Sequence, residues 1–154
     1  MHAKNLVAAA LLLFVAASVV ILLGREMRES DGGGSAPAAE ALPADGVVVY
    51  YFHGETRCPT CRDIENYSHA AVQTAFSKEL ASDKVLWKVV NYEQPENSHF
   101  ATDYEIVAPT VVLVRRIGGQ NGEWRNLSRV WELVGDRDAF TEYLQNETRS
   151  MLGS

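Results

Sequence analysis

Cysteine is scarce in this chain, and positive charge is in deficit. Only two of the 154 residues are cysteines, which excludes a disulfide-rich scaffold. Fourteen Lys and Arg face twenty Asp and Glu, so the formal charge is −6. No basic stretch is present to neutralise the phosphates of a nucleic acid. The composition therefore argues against nucleic acid as a partner and is typical of one ordinary globular domain with additional residues.

A long apolar run occupies residues 6–23, LVAAALLLFVAASVVILL, which contain no charge and no proline. Eighteen apolar residues are enough to span a hydrocarbon core as a helix, so residues 1–24 are predicted to be a transmembrane signal-anchor. The alternative is a cleaved signal peptide. Its apolar region is usually shorter and is followed closely by a small-x-small cleavage site, whereas the nearest such triplet here is at residues 36–38.

Residues 25–45 are rich in Gly, Ala and Pro and show neither a helical nor a strand period. This composition predicts a flexible linker. A flexible chain of this length spans about 25 Å on average. The domain that follows is therefore expected to stay close to the membrane.

Residues 46–154 carry the patterns of an α/β domain in the order βαβαββα. Strands are predicted at 47–52, 85–91 and 110–117, followed by a hairpin whose returning strand lies within 124–134. Helices are predicted from Pro59 to about Leu80, with a possible break near Ser68, around residues 97–104, and from Arg137 to about Leu152. Asp136 is a suitable N-cap for the last helix.

The two cysteines stand three residues apart in Cys58-Pro59-Thr60-Cys61, directly after a predicted buried strand and at the start of a helix. A bridge across so short a loop removes little entropy from the unfolded chain, which favours a chemical over a stabilising role. The helix N-terminus stabilises a thiolate, Pro59 suits the first helical turn, and the flanking Arg57 and Arg62 add positive charge. The pKa of Cys58 is therefore predicted to fall to between about 3.5 and 7.5. Cys58 would attack a partner, and Cys61 would resolve the mixed disulfide.

The motif, its place after a strand, and the later Ala108-Pro109-Thr110 resemble the thioredoxin family. The resemblance implies a minimal thioredoxin-like fold and a thiol:disulfide oxidoreductase whose only redox group is the Cys58–Cys61 pair, with no further cofactor. It also implies that Pro109 faces the cysteines and that the Ala108–Pro109 bond is cis, which would let the Ala108 backbone pair with an extended substrate segment.

Two departures from the family pattern concern the environment of the cysteines. Arg57 stands where the family often has an aromatic residue, and Tyr50, Tyr51 and Phe52 stand where thioredoxin has a buried aspartate. In thioredoxin that carboxylate helps to move the proton of the resolving cysteine. Without it, the sequence does not identify the base that would deprotonate Cys61. His53 and Glu55 are candidates, although a satisfied strand-end histidine and a loop carboxylate are the simpler interpretations.

Three stretches resemble a narrower group, the ArsF-type subunits of nitrophenyl-compound nitroreductases, which are encoded beside an efflux permease for aromatic arsenicals. The stretches are YYFHGETRCPTCR, VVNYEQPENSHFATDYEIV and WRNLSRVWELVGDRDAF. Because the chain has no glycine-rich flavin fingerprint, this resemblance implies an electron relay that serves other reductase and permease subunits.

A metal site is the main rival hypothesis, because two thiolates with histidines could bind zinc and the pair alone could bind Cu(I). The domain's histidines, His53, His69 and His99, lack the spacing of a zinc finger, so no metal is expected. A ligand site formed by Trp87, Trp124 and Trp131 is a further alternative, although strand tryptophans are more often core residues.

The predicted location is a bacterial inner membrane with the dithiol domain in the periplasm or its equivalent. Lys4 and the amino terminus on one side of the apolar run nearly balance Arg25 and Arg28 on the other, so the positive-inside rule decides little. Only five residues precede the run, as in an uncleaved export signal, which favours a cytoplasmic N-terminus. The expected partners are membrane-bound or exported proteins with thiols or disulfides.

Overall fold

The computed structural model describes residues 42–153, which form one compact unit around a four-stranded sheet. The strands are β1 (Gly46–His53), β2 (Val85–Asn91), β3 (Thr110–Ile117) and β4 (Gln120–Asn126). The helices are α1 (Pro59–Ala75), α2 (Ser77–Ala81), α3 (His99–Asp103), α4 (Val130–Leu133) and α5 (Arg137–Leu152), with a 3₁₀ turn at Pro95–Asn97.

The sheet has the order β2-β1-β3-β4. β1 is parallel to β2 and antiparallel to β3, and β3 is antiparallel to β4. The parallel pair is joined by a crossover that contains α1 and α2, as a parallel connection requires. The predicted α/β architecture with a mixed sheet is confirmed.

The central strand β1 is buried on both faces, which explains its continuous apolar sequence. Its odd-numbered residues pack with α1 and α5 on one face, where Ile64 and Phe140 are completely buried. Its even-numbered residues pack on the other face with Tyr104 and Ile106, which come directly after α3 in the chain. Helical segments therefore cover both faces of the sheet.

The long helix predicted from Pro59 to about Leu80 is divided into α1 and α2, and the break is at Phe76 rather than near Ser68. Phe76 has φ −125° and ψ 30° and is buried. Burial of its ring in the core outweighs continuation of the helix, whereas Ser68 is buried within regular helix.

The returning strand of the hairpin begins earlier than predicted, at Gln120, and ends at Asn126. Gly118 and Gly119 have φ values of 57° and 79°, which form the tight turn that matches the twist of a hairpin. Ile117 consequently pairs with Gln120 directly across the turn. The chain leaves the sheet after Asn126 and forms α4 at Val130–Leu133.

The last three residues of the predicted linker make contacts with this hairpin. Arg116 Nε donates to the Pro43 carbonyl at 3.2 Å, and Gly119 N donates to the Ala44 carbonyl at 2.8 Å. The Asp45 carboxylate accepts from Gly118 N at 2.8 Å.

Residues 42–153 contain no helix that is both long enough and apolar enough to cross a bilayer. The predicted signal-anchor at residues 1–24 and most of the linker lie outside the described residues. Membrane anchoring therefore stays a prediction.

Candidate functional site: the Cys58–Cys61 pair

Cys58 and Cys61 form a disulfide at the N-terminus of α1, with their Cα atoms 5.0 Å apart. Cys58 is the N-cap residue, with φ −70° and ψ 159°, and Pro59 begins the helix. Cys61 lies in the first helical turn and is 4% exposed, whereas Cys58 is only half-buried. The predicted position of the motif is confirmed, and the two sulfurs differ in their access to a partner.

The Cys58 sulfur acts as the cap of α1. Its Sγ accepts a hydrogen bond from Cys61 N at 3.0 Å. This N–H is one of the helix-start donors that have no partner within the helix. A sulfur in this position benefits from both the donor and the positive end of the helix dipole, and both would stabilise a thiolate more than a thiol.

The net positive charge beside the two cysteines is smaller than the sequence suggested. Arg57 forms an ion pair with Glu65, one helical turn beyond Cys61, so much of its charge is compensated. Arg62 is exposed, and Thr60 is half-buried. The helix terminus and the Cys61 N–H are therefore the main groups that favour a thiolate at Cys58.

A buried tyrosine lies behind Cys61. Tyr51 is fully buried, and its hydroxyl donates to the Cys61 carbonyl at 2.6 Å. Burial raises the pKa of Tyr51 to about 12, with a smaller opposing effect from Arg57. The hydroxyl consequently stays protonated at any physiological pH and keeps its role as a donor. It ties the first turn of α1 to the central strand.

The two candidate bases are both engaged elsewhere. His53 Nδ1 lies 2.8 Å from the Gly54 carbonyl, at the end of β1. The Glu55 carboxylate accepts from Asn91 Nδ2 at 2.7 Å, and Glu55 N donates to Glu93 at 2.8 Å. These contacts are those of a strand-end histidine and a loop carboxylate, the simpler interpretations of both residues.

Ala108, Pro109 and Thr110 lie at the dithiol end of the sheet, since Phe52 at the end of β1 pairs with Thr110 at the start of β3. The expectation of a cis Ala108–Pro109 bond is wrong, because residues 42–153 contain no cis peptide bond. The trans form is the lower in energy for most X–Pro bonds, by about 0.5 to 1 kcal/mol. The Pro109 carbonyl is oriented by Trp131, whose Nε1 donates to it at 2.7 Å.

The loop that carries Pro109 combines fixed and exposed parts. The Thr110 hydroxyl donates to Asn126 at 2.8 Å, which ties the start of β3 to the end of β4. Val107 is 97% exposed, and a small cavity of about 80 Å³ lies between Val107, Ala108 and Trp131. This loop therefore offers an apolar contact surface at the dithiol end of the sheet.

The three histidines do not converge on the cysteines. His69 stacks on Trp87, His99 packs on Phe100, and His53 contacts Gly54. Within residues 42–153, no group of three or more His, Cys, Asp or Glu side chains is placed to hold a metal ion. The three tryptophans are separated as well, since Trp87 is in β2, Trp124 in β4 and Trp131 in α4.

Sequence reasoning missed Glu65, Tyr51 and Trp131 as neighbours of the motif. Glu65 follows Cys61 by four residues, so helical spacing placed it on the same face and was a usable signal. Tyr51 was noted only as a replacement for an aspartate. Trp131 was assigned to a strand, and nothing in the local sequence linked it to Pro109.

Comparison with solved structures identifies the fold. The crystal structure of human ERp44, form I, matches with a TM-score of 0.50 and 19% identity, over 75% of this chain and 27% of that one. A thioredoxin from Thermus thermophilus matches with a TM-score of 0.41 and 22% identity, over 66% of this chain and 73% of that one. An Entamoeba histolytica thioredoxin mutant matches with a TM-score of 0.41 and 19% identity, over 68% of this chain and 85% of that one.

The mixed four-stranded sheet with helices on both faces, together with the ERp44 match, gives this chain an α/β architecture of the thioredoxin-like fold. No protein-family model matches the chain, and no curated protein sequence matches it. The chain spans about a quarter of the ERp44 chain that it resembles, because the match covers 27% of that protein. At these identities the likeness establishes the fold alone.

Proposed function

We propose that this chain is a membrane-tethered thiol:disulfide oxidoreductase that works through Cys58 and Cys61. The observation that carries the proposal is the asymmetry of the pair. Cys58 is half-buried and its sulfur accepts the Cys61 N–H, whereas Cys61 is 4% exposed in the first turn of α1. An accessible, stabilised thiolate beside a protected thiol is the arrangement that dithiol exchange requires.

In the reducing direction, the Cys58 thiolate attacks one sulfur of a partner disulfide. A Cys58–partner disulfide forms, and the partner's other sulfur leaves as a thiolate. Cys61, as a thiolate, then attacks the Cys58 sulfur and expels the second partner thiolate. The products are a reduced partner and the Cys58–Cys61 disulfide present in this structure, so two electrons have passed to the partner. The oxidising direction is the reverse sequence.

Trapping of partners tests the assignment of roles. Cys61→Ser removes the resolving thiol, so the full chain should accumulate mixed disulfides that are visible on non-reducing gels. Cys58→Ser leaves the buried thiol and should trap almost nothing. Equal trapping by both variants would contradict the separation of roles. The direction of electron flow follows from the equilibrium with glutathione, since about −270 mV suits a reductase and about −120 mV an oxidant.

The proposed location is the bacterial inner membrane, with residues 6–23 as a single span and the described domain outside, in the periplasm or its equivalent. This part of the proposal is supported by the apolar run of eighteen residues without a charge. A short tether raises the effective concentration toward a membrane partner to roughly millimolar. The expected partners are membrane-bound or exported proteins that carry thiols or disulfides.

A second candidate function is an electron relay within a nitroaromatic or arsenical reductase system. It is supported by where the three ArsF-like stretches lie. Residues 50–62 contain the end of β1 and the dithiol, residues 89–107 run from the end of β2 to the Pro109 loop, and residues 124–140 contain the end of β4 and α4. Strand directions place all three at the dithiol end of the sheet. A surface of this kind suits one dedicated partner.

The relay is tested with the purified full chain and a nitrophenyl compound. The reduced chain alone should leave the nitro group intact, because it carries no flavin fingerprint. Addition of a flavin-containing partner subunit should start the reaction, and Cys58→Ser should abolish it. Nitro reduction by the chain alone would refute the relay. If the partner subunit reduces the nitro group equally well with Cys58→Ser, the relay hypothesis is contradicted and only the general oxidoreductase hypothesis remains.

Binding of metal by the dithiol is the third candidate, and it predicts one tightly held zinc or copper ion per reduced chain. Two thiolates without a third protein ligand should instead bind zinc weakly and below one equivalent. Metal content after dialysis of the reduced chain distinguishes the two. A retained ion that blocks alkylation of Cys58 would favour the metal module.

A further inference from the structure

A cavity lies at the end of the sheet opposite the dithiol. Its volume is about 340 Å³, and it is lined by the start of β1, the residue before β2, the end of β3 and the end of α5. β1 runs from Gly46 at the cavity to His53 near the dithiol. Eight strand residues place the two sites about 25 Å apart. The cavity is therefore separate from the redox site.

Positive charge dominates the lining of this cavity. Lys84, Arg115 and Arg116 all line it, against a single carboxylate from Asp45. Arg116 donates to the carbonyls of Pro43 and Gly119 and to the Asn121 amide oxygen, all of which are neutral acceptors. Arg116 therefore makes no ion pair with a carboxylate of residues 42–153.

The other two cations have no acceptor in residues 42–153. Arg115 is half-buried, and its guanidinium makes no hydrogen bond or ion pair with a described residue. A side chain at Gly153 would begin 3.7 Å from Arg115 Nη2, so the guanidinium lies near the C-terminus of α5, whose dipole compensates only part of its charge. Lys84 is exposed, and its backbone is held at the start of β1 because Val47 N donates to its carbonyl at 2.8 Å.

This surplus of positive charge is unusual on a chain whose formal charge is −6. Half-buried guanidinium groups are normally paired, since burial without a partner is costly. The cavity also has an apolar wall, because Ile117 is 58% exposed and Leu152 is half-buried beside it. The site thus combines cations for an anion with a surface for an apolar or neutral group.

We propose that this cavity binds the phosphate group of a phosphate ester, with the phosphate on Lys84 and Arg115 and the esterified group along Ile117 and Leu152. Arg and Lys are the side chains that proteins use most for phosphate. Lysine and arginine from separate segments can contact different oxygens of one tetrahedral anion. A volume of about 340 Å³ exceeds the needs of inorganic phosphate and leaves room for the ester.

Two sources of such an ester fit the site, a soluble phosphate ester and an anionic phospholipid. The chain enters the described domain at this end, through residues 43–45. If the proposed membrane tether is correct, a phospholipid headgroup is the nearby source, and its binding would direct the dithiol away from the bilayer. The lipid alternative rests on the proposed function, whereas the phosphate chemistry does not.

The full chain in a neutral detergent is titrated with dihexanoyl phosphatidylglycerol, glycerol 3-phosphate and acetate, and the amide signals of Gly46 and Gly118 are followed by NMR. Both phosphate probes should bind, and acetate should bind at least tenfold more weakly. Phosphatidylglycerol binding at least tenfold tighter than glycerol 3-phosphate would identify a lipid source. Similar affinities for the two phosphate probes would identify a soluble ester.

The test variant is Lys84→Gln/Arg115→Gln, which should lose at least tenfold in phosphate affinity. Lys78→Gln/Arg129→Gln removes the same charge from exposed positions outside the cavity and should retain the affinity. Three outcomes would overturn the proposal. They are equal losses of affinity in both variants, an affinity for acetate equal to that for phosphate, and no binding of either phosphate probe. Disulfide reduction should be unchanged in the test variant, so failure at the cavity and failure of the redox proposal remain distinguishable.

Discussion

The Tyr51 hydroxyl donates to the Cys61 carbonyl at 2.6 Å and links the central strand to the turn that carries the dithiol. The donor is fully buried and belongs to the strand segment that was noted in the sequence as lacking the aspartate of thioredoxin. A tyrosine with a pKa near 12 does not act as a base at neutral pH. Tyr51 therefore holds the backbone of Cys61 in place and does not act as a base for its thiol.

Replacement of Tyr51 is predicted to change both stability and its dependence on pH. In the oxidised protein, Tyr51→Phe should lower the free energy of unfolding by about 1 kcal/mol at pH 7, because the Cys61 carbonyl loses a donor. Tyr50, whose pKa burial also raises to about 12, lies on the opposite face of the sheet and provides the matched control Tyr50→Phe.

The sign of the pH dependence follows from the raised pKa values. Between pH 10 and 12 the unfolded chain releases tyrosine protons that the folded chain keeps, so stability is complete below pH 10 and falls as the pH rises to 12. Each tyrosine contributes up to about 3 kcal/mol to this fall. Denaturant titrations at pH 7, 10 and 11.5 should show that the free energy of unfolding falls less with pH in each variant than in the unsubstituted chain. An unchanged fall in Tyr51→Phe would contradict the assignment.

Removal of the Arg57 partner is predicted to activate Cys58. Glu65→Gln leaves the Arg57 guanidinium uncompensated beside the motif, so alkylation of Cys58 by iodoacetamide at pH 6 should become roughly threefold faster. Asp63→Asn removes an exposed carboxylate of the same helix that does not pair with Arg57 and serves as the control. Equal acceleration in both variants would mean that the Glu65 pairing itself has no specific effect.

Trp131 is predicted to affect the binding of a partner rather than the exchange chemistry. Trp131→Phe keeps an aromatic ring but removes the donor to the Pro109 carbonyl, which frees the loop at the dithiol end. The KM for a protein disulfide should rise about fivefold with little change in kcat. Trp124→Phe, on the other face of the sheet, should leave both values unchanged. A fall in kcat without a change in KM would contradict this role.

The predicted orientation places Cys58 outside the inner membrane. A membrane-impermeant maleimide, applied to intact cells after outer-membrane permeabilisation and mild reduction, should label the full chain at Cys58. Cys58→Ser should lose most of the labelling, because Cys61 is 4% exposed. Labelling that requires rupture of the inner membrane would place the domain in the cytoplasm.

The bounds of β2, β3 and α5 were predicted from the sequence without error, because local patterns determine them. Residues 85–91 and 110–117 are rich in β-branched and other apolar residues, Gly118 follows the second segment, and Asp136 accepts from Ala139 N as an N-cap should. The N-terminal position of the dithiol on a helix followed from Pro59 in the same way. In each case the determining interactions lie within a few residues of one another.

Only the tertiary structure decided the features that depend on contacts distant in sequence. The break at Phe76 follows from burial of its ring in the core, and the Pro109 carbonyl accepts from Trp131 in α4. The cationic cavity joins segments that lie more than sixty residues apart, from Lys84 to Leu152. The sequence by itself determined the cysteine motif and the strand and helix pattern, because these are local. The surroundings that decide how the motif reacts required the packed sheet.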